Sequence, residues 1–417
     1  MKALNLPRPR PDDSCMTTAT TISSPTQSTP EMRRRFILND AAAFRGVADA
    51  LRQPTSETLL EMLAEWYVPP AWATGCVAFG DAWFLAEMVR CVRPDRVIEI
   101  GVASGASSAV LLAALQHVWS EAGLTDEGRP RLESFDLMDR CYFDPSRSVG
   151  SAVPEMCPDL DHQRGWRLTT GATAVEAGRT LAGADLPLAF VDADHRHPWP
   201  VADILALRPA LRPGAWIVLH DIDLPEVARR HTQCGGSEVD WGTPGVQMLF
   251  DAWPFEKIRG VGVCHNIGAV RLPVDRPLEL RDLDAVLDQP WEVEPGPEVR
   301  EAIDRPAAED TQLRHAAELI LARLRAGERI TLFGMGNNAH ALLSVMRRLG
   351  GAGELAWADD RGDVRPPRAP SMRLRRVSLV EIDPGSTVVV TPNQWGPIVA
   401  RLRSRGLANV IAAREMR

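Results

Sequence analysis

The feature that most constrains this chain is a short apolar run that breaks into a glycine turn and then into a helix. Arg96-Val97-Ile98-Glu99-Ile100 reads as a buried strand, Gly101-Val102-Ala103-Ser104-Gly105 as the turn, and residues 106–119 as an apolar helix. Glycines let a backbone pass close to a ligand, and the helix start offers unpaired amides. Further strands are expected at 132–137, 166–169, 188–192 and 215–220, with helices at 172–181 and 201–211 between them. Strands alternating with helices at this spacing predict an α/β, Rossmann-like unit with a parallel sheet covered on both faces. Upstream, residues 41–66 carry helical apolar spacing, with Ser56 and Thr58 as cap residues, and 72–90 reads as another helix.

A second alternation follows. Residues 311–326 read as a helix, 329–333 as a strand, and Gly334-Met335-Gly336-Asn337-Asn338-Ala339 as a glycine turn into a helix ending near 349. Strands are expected at 354–358, 387–391 and 409–412. Gly334-x-Gly336-x-x-Ala339 has the form of a dinucleotide fingerprint, and Asp359 and Asp360 stand where a ribose contact is expected. Only about one βαβαβ half fits in the remaining chain. The organisation expected is a Ser/Thr/Pro-rich disordered leader at 1–30, a first unit at 31–275, a linker rich in Pro, Glu and Asp at 276–308, and a smaller Rossmann-like unit at 309–417.

Composition narrows the function. A net charge of −8 argues against a nucleic-acid surface, and the arginine clusters at Arg33–Arg35 and Arg373–Arg376 read as solvated faces. No apolar run approaches the roughly 18–20 residues of a membrane span, and the leader has no apolar core, so a cytoplasmic protein is expected. Lysine occurs only at Lys2 and Lys257, as in a GC-rich bacterial genome. The seven cysteines lack Cys-x-x-Cys pairing and read as reduced.

Polar residues collect at the predicted strand ends. Asp136 closes the second strand, where a carboxylate can accept ribose hydroxyls, and Gly171-Ala172 follow the third, where an adenine would be held. The fourth strand ends in Asp192-Ala193-Asp194-His195 and the fifth in His220-Asp221-Ile222-Asp223. Hard oxygen ligands converging there can hold Mg²⁺, and a metal-bound hydroxyl loses its proton more readily. Residues 241–255, with Trp241, Trp253 and Phe255, form a segment that can cover an acceptor.

Taken together, the motifs over roughly 81–272 resemble the class I S-adenosylmethionine (SAM)-dependent methyltransferases. They are most similar to small-molecule enzymes with a Phe-Ile-Asp-Gly-Asp-His fourth strand and a Leu-His-Asp fifth strand, Ala193 replacing the usual glycine. The resemblance implies that Glu99, Gly101, Ala103, Ser104 and Gly105 surround the methionine part of SAM. It places Asp136 at the ribose, Gly171 and Ala172 near the adenine, and Asp192 at the edge of the cofactor site. It extends to divalent-metal-dependent O-methyltransferases, which implies Asp192 and Asp221 as metal ligands, His220 where an acid is usual, and His195 beside Asp192 as the catalytic base. The second unit resembles small C-terminal domains of some sugar methyltransferases and polysaccharide-biosynthesis enzymes, which implies a nucleotide or sugar-nucleotide partner or else a structural, substrate-presenting or dimerising role. The expected function is O-methylation of a small molecule such as a sugar, sugar nucleotide or natural-product intermediate. Metal-independent N- or C-methylation, an NAD-linked oxidoreductase and a SAM-binding scaffold without turnover stay open.

Overall fold

In the computed structural model, residues 29, 31 and 43–413 are described, except 75, 124–131, 159–164, 234–241, 288, 290, 294–310, 335–338, 340–341, 344, 347–348, 350, 352, 361–371 and 392–394. Apart from 29, the expected leader lies outside the described residues, as do Arg33–Arg35 and much of the expected linker.

Two sheets organise the chain. The first has seven strands, β1 (Val97–Ile100), β2 (Leu132–Asp136), β5 (Trp166–Thr170), β6 (Leu186–Val191), β7 (Leu211–His220), β8 (Lys257–Arg259) and β9 (Ile267–Arg271), in the order β5-β2-β1-β6-β7-β9-β8. A polar hairpin, β3 (Arg140–Cys141) and β4 (Asp144–Ser148), stands apart from it. Strands β5 to β7 run parallel, and β9 is antiparallel to both neighbours. β1 is central because the chain moves outward on one side through β2 and β5, then crosses back to β6 on the other. That reversal leaves a crevice at the carboxyl ends of β1 and β6, the place where doubly wound sheets bind ligands.

Side chains alternate between the two faces of the sheet. Val97, Leu188, Phe190 and Val218 face a cluster built by the helices α1 (Gly46–Ala50), α2 (Glu57–Trp66), α3 (Phe79–Val92) and α4 (Ala106–Glu121). Ile98, Ala189 and Ile217 face the opposite layer, which includes α5 (Ala174–Thr180), α6 (Trp199–Leu207) and α7 (Gly245–Ala252). Both faces are apolar, so these strands read as continuous hydrophobic runs. The single helix-like stretch expected at 41–66 is divided around Pro54. Ser56 caps α2, accepting a hydrogen bond from Leu59 N at 3.2 Å; Thr58 lies inside the helix.

The second sheet holds β10 (Ile330–Phe333), β11 (Gly353–Ala358), β12 (Met372–Arg376), β13 (Thr387–Val390) and β14 (Val410–Ala412), all parallel, in the order β12-β11-β10-β13-β14. Helices α8 (Thr311–Arg325) and α9 (Trp395–Ser404) accompany it. Arg373–Arg376 form the edge strand β12, where Arg375 Nε donates to Glu354 Oε1 at 3.2 Å. Part of the expected linker is packed: Leu278, Leu283, Val286 and Leu287 are buried in the cluster that also holds Ile98 and Leu313. Among the described residues no helix is long and apolar enough to cross a membrane.

Candidate active site

The glycine turn is shaped by contacts on both sides. Gly101 has φ +84°, and a Cβ there would stand 2.0 Å from the Asp192 carbonyl oxygen. Only glycine lets β1 pass this close to β6. The Asp136 carboxylate secures the turn, its Oδ2 accepting from Val102 N at 2.9 Å and Ala103 N at 3.0 Å, and its Oδ1 from Met138 N at 2.8 Å. A cleft of about 230 Å³ opens above these strand ends, with Gly101, Ala103, Asp136, Ala172 and Asp192 among its walls. Gly171 follows β5 at φ +68°, with open space where a Cβ would stand. A narrower pocket beside the cleft is lined by Cys76, Ser104 and Asp192.

Glu99 occupies a different place from the one the resemblance implies. Strand alternation turns it, like Val97, toward α4, where it is fully buried beneath the turn. Its Oε1 accepts from Ser107 Oγ at 2.7 Å, and its Oε2 from Ser108 Oγ and Ser134 Oγ, each at 2.6 Å. Burial pushes the carboxyl up to about 7 against the lowering effect of the three hydroxyls. Gly105 likewise faces inward, its missing Cβ leaving room for Gly150 and Val153.

The polar cluster gathers at the ends of β6 and β7. His195 Nε2 lies 3.2 Å from Asp192 Oδ1 and 3.3 Å from Asp221 Oδ2. The ligand atoms of Asp192, His195 and Asp221 all fall within 4.8 Å of one another. His220 stands behind them, with Nδ1 3.3 Å from Asp192 Oδ1 and 3.5 Å from Asp221 Oδ1, and Nε2 3.4 Å from Asp81 Oδ2. Burial disfavours both imidazolium ions, but the carboxylates outweigh it and raise both histidines. Burial also opposes ionisation of Asp192, yet His220 and His195 hold it below the usual carboxylate range. The two carboxylates converging on one point offer hard oxygen ligands that suit a divalent cation, with the His195 imidazole beside them.

Other candidates are committed elsewhere. Asp194 is held by Arg196, whose Nε donates to Oδ1 at 2.9 Å. Asp223 accepts from Arg259 Nη1 at 2.6 Å. His197 is fully buried; its backbone N–H donates to Glu292 Oε2 at 2.7 Å, and its carbonyl accepts from Glu292 N at 2.9 Å. In the expected acceptor cover at 241–255, Phe250 and Trp253 are buried, Trp253 Nε1 donating to Arg271 O at 3.0 Å, and Phe255 is half-buried; Trp241 lies outside the described residues. The cleft rim carries Tyr142 of the β3–β4 hairpin. Two site neighbours were not anticipated, Asp81 on α3 and Asn266, whose Nδ2 donates to Asp221 Oδ1. Asp81 is one of two acids in the apolar stretch of α3, the other being Glu87, which is paired with Arg90; Asn266 gave no signal.

A larger cavity, about 390 Å³, opens at the start of β7 between Arg208, Arg212 and Arg276. It holds none of the clustered acids. Asp282 pairs with Arg276, and Arg208 Nη1 donates to Leu278 O at 3.1 Å.

Fold and site define a doubly wound α/β enzyme with its ligand cleft at the strand-order reversal. Residues 98–222 match the Methyltransf_24 family, described as a methyltransferase domain, so this part of the chain carries a methyltransferase domain. No curated protein matches the sequence. Among solved structures, the chain is similar to the O-methyltransferase from Bacillus cereus in complex with SAH (20% identity, 58% of this chain and 100% of that one, TM-score 0.34). It is also similar to the O-methyltransferase TomG from Streptomyces achromogenes, involved in tomaymycin synthesis and solved with SAM (18%, 57% and 96%, TM-score 0.34). A third is cofactor-bound Rv0187 from MTB (18%, 65% and 100%, TM-score 0.35).

Proposed function

We propose that the protein is a SAM-dependent O-methyltransferase acting on a hydroxyl of a small molecule, a sugar, sugar nucleotide or natural-product intermediate, with Mg²⁺ held at the acceptor side. The observation that carries this reading is the convergence of Asp192, His195 and Asp221 within 4.8 Å at the edge of the cleft. SAM fits the cleft by its chemistry. Asp136 uses three acceptor positions on the turn and keeps capacity for a ribose hydroxyl, since a carboxylate offers about four. The open space at Gly171 suits a flat base. Gly101, Ala103 and Ser104 face the methionine end, while Glu99 acts from beneath by fixing the start of α4.

Asp192 and Asp221 would hold the metal, with His195 beside it. Bound there, Mg²⁺ lowers the pKa of a coordinated hydroxyl and offsets the carboxylate field that otherwise keeps His195 protonated. His195 in its neutral form accepts the acceptor's proton, and the cleft walls hold donor and acceptor in line. His220 orients both carboxylates from behind.

The test is formation of SAH from SAM across a panel of catechols and glycosides, with and without EDTA. His195→Ala lowers kcat about 10²- to 10⁴-fold with SAH affinity unchanged. Equal turnover in the variant sinks the base assignment, and EDTA-insensitive turnover sinks the metal. A second reading concerns the second sheet, whose strand order reverses between β10 and β13 beside Gly334. The reversal favours a nucleotide or sugar-nucleotide ligand there, and a thermal-shift panel of nucleotides without SAM tests it. The residues 335–338 of its glycine turn lie outside the described set.

A further inference from the structure

Asp203 lies on α6 one turn after Trp199, so both side chains fall on the same face, and both line the cleft together with Ala172, Thr173 and Ala174. Asp203 is buried, 3% exposed, and its Oδ2 has no hydrogen-bond partner among the described residues. Every other carboxyl on the cleft wall is engaged: Asp136 by backbone amides, Asp192 by two histidines and Asp194 by Arg196. Thr173 is spent as well, its Oγ1 accepting from Val175 N at 3.2 Å to cap α5. A buried polar oxygen left without a partner is costly, and such groups in folded proteins are met by a ligand or by water.

We propose that Asp203 selects the base of the cofactor by pairing with the edge of adenine that carries the 6-amino group, an inference that rests on the SAM reading above. A protonated carboxyl offers one donor and one acceptor side by side, the same pair with which Asn and Gln read adenine. Its carbonyl oxygen accepts from the 6-amino group while its hydroxyl donates to the adjacent ring nitrogen. Burial, reinforced by the Asp194 carboxylate and opposed by His195, pushes Asp203 up to about 8, so the group keeps its proton at neutral pH. Trp199 supplies an aromatic wall for the ring on the same helix face. No metal-binding residue takes part, which separates base recognition from the chemistry at Asp192 and Asp221.

The experiment is calorimetric titration of the full-length protein at pH 7 with SAH and with its analogue carrying purine in place of adenine, which lacks only the 6-amino group. The wild-type protein is expected to prefer SAH by about 10- to 100-fold. Asp203→Asn keeps that preference, because the amide presents the same donor and acceptor. Asp203→Leu binds SAH more weakly and brings the ratio of the two affinities to about one. Equal affinity of the wild-type protein for both ligands overturns the proposal without any variant, as does an undiminished preference in a folded Asp203→Leu protein. Absence of SAH binding to the wild-type protein refutes the SAM reading itself, a distinct outcome from loss of base preference alone.

Discussion

Glu99→Gln tests whether the acid beneath the glycine turn is a neutral hydrogen-bond hub or a stabilised anion. In the folded chain its carboxyl is pushed from about 4.5 up to about 7, a rise of about 2.5 units worth about 3 kcal/mol at 1.36 kcal/mol per unit. The folded pKa is the higher one, so this stability is fully present below pH 4.5 and is lost as the pH rises toward 7; above 7 the deficit is constant. Glutamine stays neutral throughout and escapes the loss. Its cost is one rearranged hydrogen bond. Trp166 Nε1 donates to Ser134 Oγ at 2.8 Å, which leaves that hydroxyl's own proton for Glu99 Oε2. The new amide nitrogen therefore replaces Oε1 and faces Ser107, whose hydroxyl rotates to accept, at about 1 kcal/mol. The variant is expected to be about 1 kcal/mol less stable than wild type at pH 4.5 and about 2 kcal/mol more stable at pH 8. Thermal melts of ligand-free protein read this as a midpoint about 2–4 °C lower at pH 4.5 and about 4–8 °C higher at pH 8. A difference that does not change with pH, or a variant less stable than wild type at pH 8, would show that Glu99 is ionised and that the three serines hold it as an anion.

Gly105→Ala forces a Cβ to 2.8 Å from Gly150 Cα at φ +93°, and urea denaturation should show a loss of about 2–5 kcal/mol. Glu292→Ala frees the backbone of His197 and should lower kcat in the methyl-transfer assay more than it raises the KM for SAM, because the loop carrying His195 loses its tie. Asn266→Ala removes a donor to Asp221 and should weaken Mg²⁺ or Mn²⁺ binding about 10- to 100-fold by titration calorimetry, while SAH binding is retained.

What was legible in the sequence was local. The step from Val97 through Gly105 into α4 is written in consecutive residues, and so are the acids that end β2, β6 and β7. The second sheet was readable for the same reason, apart from its edge strand. β12 carries Arg373, Arg375 and Arg376 among few apolar residues, so its charge masked its strand character. The antiparallel pair β8 and β9 was missed because Lys257–Arg259 is too short to show alternation, and Ile267–Arg271 takes its identity from hydrogen bonds to β7. The hairpin of β3 and β4 is mostly exposed and leaves no apolar pattern.

The site divides along the same line. Asp192, His195 and Asp221 could be placed together because each follows a strand end, and parallel neighbours bring such ends side by side. Asn266 reaches Asp221 from 45 residues away, across a turn that no local pattern announces. Glu99 shows the complementary case. Its position in the motif suggested the cofactor, yet strand alternation from Val97 turns its side chain toward Ser107 and Ser108 in the first turn of α4, beneath the glycine turn. Proximity in a motif fixes where a Cα lies; the period of two along a strand decides which face its side chain serves. The same rule, applied to the period of a helix, joins Asp203 to Trp199 and gives the cleft a carboxyl whose Oδ2 has no hydrogen-bond partner among the described residues.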